Sequence, residues 1–285
     1  MIDLNKKFLI VGLGLLGGSY ALGLKKRGHY VSAIDIDEKT INYALNNGII
    51  DKGSTKDDVE LIREADVIIS GLYPKMVKSW IIDNQKYFKS GVLLSDVTGV
   101  KRGIIYDIQK NLRADCEFLG VHPMAGKEVK GVYHSDPDIF LPANLILTPT
   151  EKNSKEAIKF FHEFGIELRF NNICVLSPER HDEMIGYLSQ LTHVIAVSLM
   201  NANDNPNLNE YTGDSFRDLT RIAKINENLW TELFLMNKDY LVKEIEVFVD
   251  EMNDFKNKLI SEDVEGMKQK FIQSTMRRKS FDRKK

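Results

Sequence analysis

Hydrophobic and polar positions change rhythm once along this chain of 285 residues. Up to residue 172, short β-branched apolar runs recur: Phe8 to Gly12 (FLIVG), Val31 to Asp35 (VSAID), Val67 to Gly71 (VIISG), Val92 to Val97 (VLLSDV), Glu117 to Val121 (EFLGV) and Asn144 to Thr148 (NLILT). Runs that are apolar at consecutive positions predict strands buried on both faces of a parallel sheet. Between them, Thr40 to Asn47 and Val100 to Leu112 carry helical spacing. The β-α-β-α order predicts an α/β fold, a doubly wound parallel sheet of Rossmann type, over residues 1–172. Its last part is read as a helix through EAIKFFHEFG, stopped by Gly165, and a strand near Glu167 to Phe170.

After LSPERHDE the β-rich runs cease. Ser177 can cap a helix with Pro178 at its first position, and long apolar-periodic segments follow, so residues 173–285 are read as an all-α second domain. Its last long helix carries Leu241, Ile245, Phe248, Met252, Phe255 and Leu259, a seam suited to a helical core or to a second subunit. The basic end, MRRKSFDRKK, reads as a solvated, frayed tail.

Charge narrows the partners. Lys and Arg number 39 against 41 Asp and Glu, so no overall basic field exists to hold nucleic acid or an anionic membrane. Cys116 and Cys174 have neither zinc-ligand nor CxxC spacing, which fits buried thiols in a reducing compartment, with no metal. The opening stretch, Phe8 to Leu24, is uncharged and follows Lys6 and Lys7, as in an export signal. Five glycines interrupt it, no small-x-small cleavage site is followed by a mature-looking start, and it is shorter than the roughly 20 residues a membrane-spanning helix needs, so a cytoplasmic protein is expected.

Those glycines point to a nucleotide. Gly12-x-Gly14-x-x-Gly17 follows a strand and opens a helix: Gly12 for the tight turn, Gly14 for close approach of a pyrophosphate, Gly17 for packing of helix on strand. The helix N-terminus, from Leu15, offers free N–H groups and a positive dipole end to the phosphates. Asp35, at the end of the second strand, can accept hydrogen bonds from both adenosine ribose hydroxyls. Asp37 and Glu38 follow with no arginine and only Lys39 as a nearby cation, which favours NAD over NADP. Gly71, ending the strand VIISG, and Thr98 are added as cofactor contacts.

Four further segments, DVTGVKRGI (Asp96 to Ile104), GVHPMAGKEVKGV (Gly120 to Val132), LSQLTHVIAVSL (Leu188 to Leu199) and SFRDLTRIAKINENLWTELFLMN (Ser215 to Asn237), stand in this order over most of the chain. Together with the glycine turn they resemble the prephenate dehydrogenase family of tyrosine biosynthesis. The resemblance implies a Rossmann domain followed by a helical dimerisation domain, a homodimer, and oxidative decarboxylation of prephenate to 4-hydroxyphenylpyruvate with NAD. It also implies roles: His122 accepts the hydrogen bond of the ring hydroxyl, and Arg221 grips the ring carboxylate. Arg217 is a second anion contact, and His193, Gln190, Lys127, Glu128 and Thr98 border the substrate, with Trp230 near the pocket. Gln190 and Thr192 stand where many members carry histidine and proline. Gly99 stands where many carry a serine that contacts the catalytic histidine, which leaves Thr98, a backbone N–H or a water to replace it.

The chemistry agrees with the residue types. A dianion must be held while hydride leaves the carbinol carbon and its hydroxyl proton needs an acceptor; a neutral imidazole is such an acceptor, and a guanidinium grips a carboxylate in a fixed plane. The alternatives are an arogenate dehydrogenase, a β-hydroxyacid or imine-type dehydrogenase of similar two-domain build, and a non-catalytic NAD-binding module. The hydroxyacid and imine enzymes usually take their proton donor, a lysine or aspartate, from the helical domain, and the module would need no catalytic histidine.

Overall fold

The first apolar run forms β1 (Lys7–Val11) in the middle of a six-stranded sheet in the computed structural model, which describes residues 2–281. Around it lie β2 (Tyr30–Ile34), β3 (Lys52–Ser54), β4 (Val67–Ser70), β5 (Leu93–Asp96) and β6 (Glu117–Phe118), in the order β3-β2-β1-β4-β5-β6 with every neighbour parallel. Strand order reverses between β1 and β4, and there the carboxyl ends of the strands leave a crevice for a ligand. The connecting helices are α1 (Leu15–Lys25), α2 (Glu38–Asn46), α3 (Val59–Glu64), α4 (Pro74–Asn84) and α5 (Arg102–Asn111). Alternation within β1 splits the core: Phe8 and Ile10 join one layer with Tyr20, Phe140 and Phe164, while Leu9 and Val11 join another with Ile68, Leu94 and Ile104.

Three expectations change. The short β3, sequence KGS, carries no apolar run and escapes detection because it is an edge strand. The run Glu117 to Val121 is two strands: β6 ends at Phe118, and β7 (Gly120–Pro123) starts a second sheet, β7-β8-β9. There β8 (Asn144–Thr148) runs antiparallel to β7, and β9 (Asn172–Val175) parallel to β8. The expected strand near 167–170 lies instead at β9, because α6 (Lys155–Glu167) passes through Gly165 and the chain turns at Arg169, φ 65°. Gly165 is a packing position rather than a stop: a Cβ there would come within 2.7 Å of the Ile173 and Leu145 side chains, so glycine lets α6 lie close on β8 and β9.

Beyond Val175 the described residues form helices and turns: α7 (Pro178–Ile185), a π-helical segment Gly186–Leu191, α8 (Thr192–Asn201), α9 (Leu208–Tyr211), α10 (Asp214–Thr220), a 3-10 turn Arg221–Ala223, α11 (Glu227–Met236), α12 (Lys238–Ile260) and α13 (Val264–Lys279). Ser177 caps α7, accepting a hydrogen bond from the Arg180 N–H, and Pro178 occupies the first turn. The texture changes near residue 173, yet the chain forms two compact units, Met1–Lys238 and Asp239–Lys285. Periodicity reports which element forms, not what it packs on: Leu233 of α11 is buried in the same cluster as Leu94 and Phe118.

In the second unit Phe255 meets Phe271 with ring centroids 6.0 Å apart, and Lys270 pairs with Glu251 and Asp254. Of the apolar seam, Leu241 is buried, whereas Met252 and Leu259 are exposed on the single chain. The basic tail is helical through Lys279, and its last residues, 282–285, lie outside the described residues. Both cysteines are half-buried rather than fully buried, with burial pushing the Cys116 thiol up to about 11. No helix among the described residues is long and apolar enough to cross a membrane.

Candidate active site

Three glycines close around one carbonyl at the end of β1. Gly12 has φ +91°, and its oxygen lies 2.0 Å from where a Cβ on Gly17 would sit and 2.7 Å from a Cβ on Gly71. Neither position can hold a side chain without moving backbone, so α1 and the end of β4 both pack directly on the turn. Gly14 differs: a Cβ there would meet nothing within 4 Å. That open space lies at the N-cap of α1, where no side chain takes up the N-terminal N–H groups and Leu15 begins the helix half-buried. The site therefore has room and free donors for a phosphate group.

Asp35 stands beside it. Its Oδ2 accepts from the Leu13 N–H at 2.7 Å and its Oδ1 from the Asp37 N–H at 2.9 Å, which fixes the carboxylate against the glycine turn with acceptor capacity to spare. Asp37 caps α2, and the hydroxyl of Thr40 and the Lys39 N–H hold its carboxyl below the usual range. A ribose carrying a 2′-phosphate would meet both acids.

His122 lies on β7, in the second sheet, not at the rim of the main one. Its Nδ1 is 2.8 Å from Nε2 of His181, whose Nδ1 is 2.7 Å from Oδ1 of Asp182. Asp182 also accepts the backbone N–H groups of Lys101 and Arg102, both at 2.8 Å, at the start of α5. Burial, His181 and the nearby Lys101 charge together hold the His122 imidazole well below its ordinary value of 6.5. Burial also lowers His181, against the opposing pull of Asp182. Both rings are neutral near pH 7.

Below His122, Lys101 and Asp96 form a fully buried ion pair, Nζ lying 2.7 Å from each carboxylate oxygen and 2.8 Å from the Val121 carbonyl. This pair ties the end of β5 to β7 and so holds the strand that carries His122. The Thr98 hydroxyl is drawn into the same cluster, donating to Asp96 with the Val100 carbonyl as its other neighbour. It therefore does not replace the family serine at His122. A Cβ on Gly99, by contrast, would lie 3.8 Å from His122 Nε2 and 3.5 Å from Leu233.

The remaining residues fall into groups. His193 stacks on Trp230 with ring centroids 3.7 Å apart, and its Nδ1 meets the Ser189 carbonyl at 2.8 Å, leaving Nε2 as the acceptor nitrogen. Burial lowers His193, with the opposed charges of Glu128 and Arg221 close enough to act on it. Arg221, exposed, forms an ion pair with Glu128 from the loop after β7. Gln190 is buried in the π-helical segment, its Nε2 donating to the Leu233 carbonyl and its Oε1 accepting from Asn237; both ends of the amide are used in packing that segment to the end of α11. Lys127 pairs with Asp136 at 3.2 Å beside a cavity of about 370 Å³ lined by Met124, Gly126 and Ile139. Arg217 pairs with Asp214 at 2.6 Å on the exposed face of α10 and bonds the Thr212 carbonyl.

Sequence reasoning missed His181, Asp182, Lys101 and Asp96, although all four stand within quoted segments. The signal was an adjacent His-Asp pair in the first turns of a capped helix, read only for its cap, and an Asp and Lys five apart across a strand-ending turn.

Comparison with known proteins brings these parts under one heading. Residues 20–169 match the family model for the prephenate dehydrogenase nucleotide-binding domain, and residues 177–273 that for the prephenate dehydrogenase dimerization domain. The chain is 29% identical to the prephenate dehydrogenase of Bacillus subtilis, over 94% of this chain and 74% of that one. To the prephenate dehydrogenase of Lactococcus lactis it is 30% identical, over 97% and 78%. The crystal structure of prephenate dehydrogenase from A. aeolicus in complex with hydroxyphenyl propionate and NAD+ superposes with a TM-score of 0.88 at 28% identity, covering 97% of this chain and 98% of that one.

Proposed function

The chain belongs to the prephenate dehydrogenase family, and we propose that it catalyses the NAD-dependent oxidative decarboxylation of prephenate to 4-hydroxyphenylpyruvate, a step toward tyrosine. The observation that carries the reading is His122: its Nδ1 is taken by His181, and its Nε2 lies beside side-chain-free Gly99. The site offers one imidazole nitrogen to a substrate hydroxyl.

NAD, when bound, supplies the hydride acceptor. The open space at Gly14, the unused N–H groups at the start of α1 and the anchored Asp35 carboxylate fit its pyrophosphate and ribose, and they favour NAD over NADP. Within this frame His122 Nε2 accepts the hydrogen bond of the ring hydroxyl, which grows more acidic as hydride leaves the same carbon. Arg221 offers its guanidinium to the ring carboxylate, a grip it already exerts on Glu128, and orients the carboxylate as the C–C bond breaks to release CO2 and aromatise the ring. His193, held over Trp230, presents Nε2 toward the side-chain end of the substrate.

The domain division at residues 172 and 173, a homodimer and a cytoplasmic setting belong to the same reading. Support for the division and the homodimer comes from the separate family matches on either side of that division and from apolar residues such as Met252, Leu259, Phe271 and Ile272 exposed on α12 and α13. The test is formation of the reduced nicotinamide with prephenate and with arogenate, side by side, using NAD and then NADP in its place. Turnover of prephenate with NAD is expected; turnover of neither ring acid would end the proposal.

A further inference from the structure

We infer that His181 and Asp182 are positioning residues that set the tautomer of His122, so that its Nε2 carries a lone pair and not a proton. The inference rests on the reading that Nε2 faces the substrate hydroxyl, and it follows from counting protons along three side chains.

Both oxygens of Asp182 already accept backbone N–H bonds, from Lys101 and Arg102. Toward His181, Asp182 is therefore the acceptor, and the proton between them sits on His181 Nδ1. A neutral His181 then has only a lone pair at Nε2. The 2.8 Å contact between His181 Nε2 and His122 Nδ1 needs one proton, which has to come from His122 Nδ1. A neutral imidazole with its proton on Nδ1 is unprotonated at Nε2. His122 thus enters the reaction able to receive a hydrogen bond, while the opposite tautomer would present an N–H to a hydroxyl that must itself donate.

The surroundings enforce this order. His181 and Asp182 are buried to 0% and 1% exposure, so no solvent competes for their hydrogen bonds. Asp182 is held rigidly, since the N-terminal N–H groups of α5 grip it and its own carbonyl accepts from the Asn237 side chain at 2.9 Å. Among the described residues, the other ring nitrogen of His122, Nε2, has no hydrogen-bond partner and lies next to Gly99. Backing a functional imidazole with a carboxylate to choose its tautomer is a familiar arrangement, but here a second imidazole carries the choice one residue further.

The test is nitrogen NMR of the free enzyme with 15N-labelled histidine rings, combined with kinetics of two replacements. Wild-type His122 is expected to show a protonated Nδ1 and an unprotonated Nε2. His181→Leu removes the acceptor: the His122 signals should move toward a tautomer mixture, and kcat should fall roughly 10- to 1,000-fold, with KM for the ring acid and affinity for NAD within about twofold. His181→Gln, whose Oε1 can accept from His122 Nδ1, should restore the tautomer and most of kcat. A protonated Nε2 in the wild type would overturn the inference. So would undiminished kcat in His181→Leu, or equal loss in the Leu and Gln variants. If either replacement fails to fold, as judged by NAD binding, the wild-type spectrum alone still decides. The spectrum needs no substrate, so failure of this inference is separable from failure of the proposed reaction.

Discussion

Nε2 of His122 lies 3.8 Å from the point where a Cβ on residue 99 would sit, and residue 99 is glycine. Many family members carry serine there. The nearest other atoms, in the Leu233 side chain, are 3.5 and 3.6 Å away, ordinary contact distances, so Gly99→Ser should fold normally. The added hydroxyl would reach the neighbourhood of His122 and the substrate oxygen. Steady-state kinetics are expected to show a KM for prephenate lowered several-fold with kcat equal or higher; a large loss of kcat would mean that the space is already used by a bound group.

Replacing His122 with asparagine removes the basic ring nitrogen that can take up the proton while keeping a polar side chain of similar reach. Turnover should fall by about 10²- to 10⁴-fold, the usual contribution of a positioned proton acceptor. The affinity for NAD, measured by fluorescence quenching, should stay within about twofold, because the glycine turn and Asp35 are untouched.

Gly17 and Gly14, two of the three glycines of the motif, should separate stability from binding. Gly17→Ala would place a methyl 2.0 Å from the Gly12 carbonyl oxygen. A cost of about 3 kcal/mol, or a fall in Tm of roughly 6–12 °C, is expected. Gly14→Ala meets no protein atom, so Tm should hold while NAD affinity drops at least tenfold if the backbone approaches the pyrophosphate. Calorimetry with and without NAD checks both.

Arg221→Gln leaves the ring carboxylate without its charged partner. A loss on the order of 3 kcal/mol, or about 100-fold in kcat/KM for prephenate, is expected, expressed mainly in KM. Arg221 is exposed and, among the described residues, pairs with Glu128 at the surface, so Tm should hardly change.

Acid should act on His122 and His181 together. Both are held below 6.5 in the folded protein, chiefly by burial, whereas the unfolded chain takes up protons at the ordinary value. Stability is then fully present above about pH 6.5 and is lost as the pH falls from there through the folded values. The acid limb of kcat/KM should likewise lie below 6.5. Tm measured from about pH 7.5 down to about pH 5 should decline, and less steeply in the His122→Asn variant; an equal slope would remove His122 as a cause.

What the sequence determined by itself is local. A glycine turn after an apolar strand, an acid closing the next strand and a Ser-Pro helix start each act within a few residues through φ, capping and packing of near neighbours, so Gly12, Gly17, Asp35 and Ser177 could be read directly. The segments HPMAG and FRDLTRIA announced His122 and Arg221 by resemblance, without saying what surrounds them. Tertiary structure decided the rest. It moved His122 onto a second sheet by breaking one apolar run at Leu119, brought His181 and Asp182 from 59 and 60 positions away to stand behind it, and turned Thr98 toward a buried Asp96–Lys101 pair. Hydrogen bonds between side chains so distant in sequence leave no period to detect, since only the folded backbone sets which of many polar residues share a buried volume.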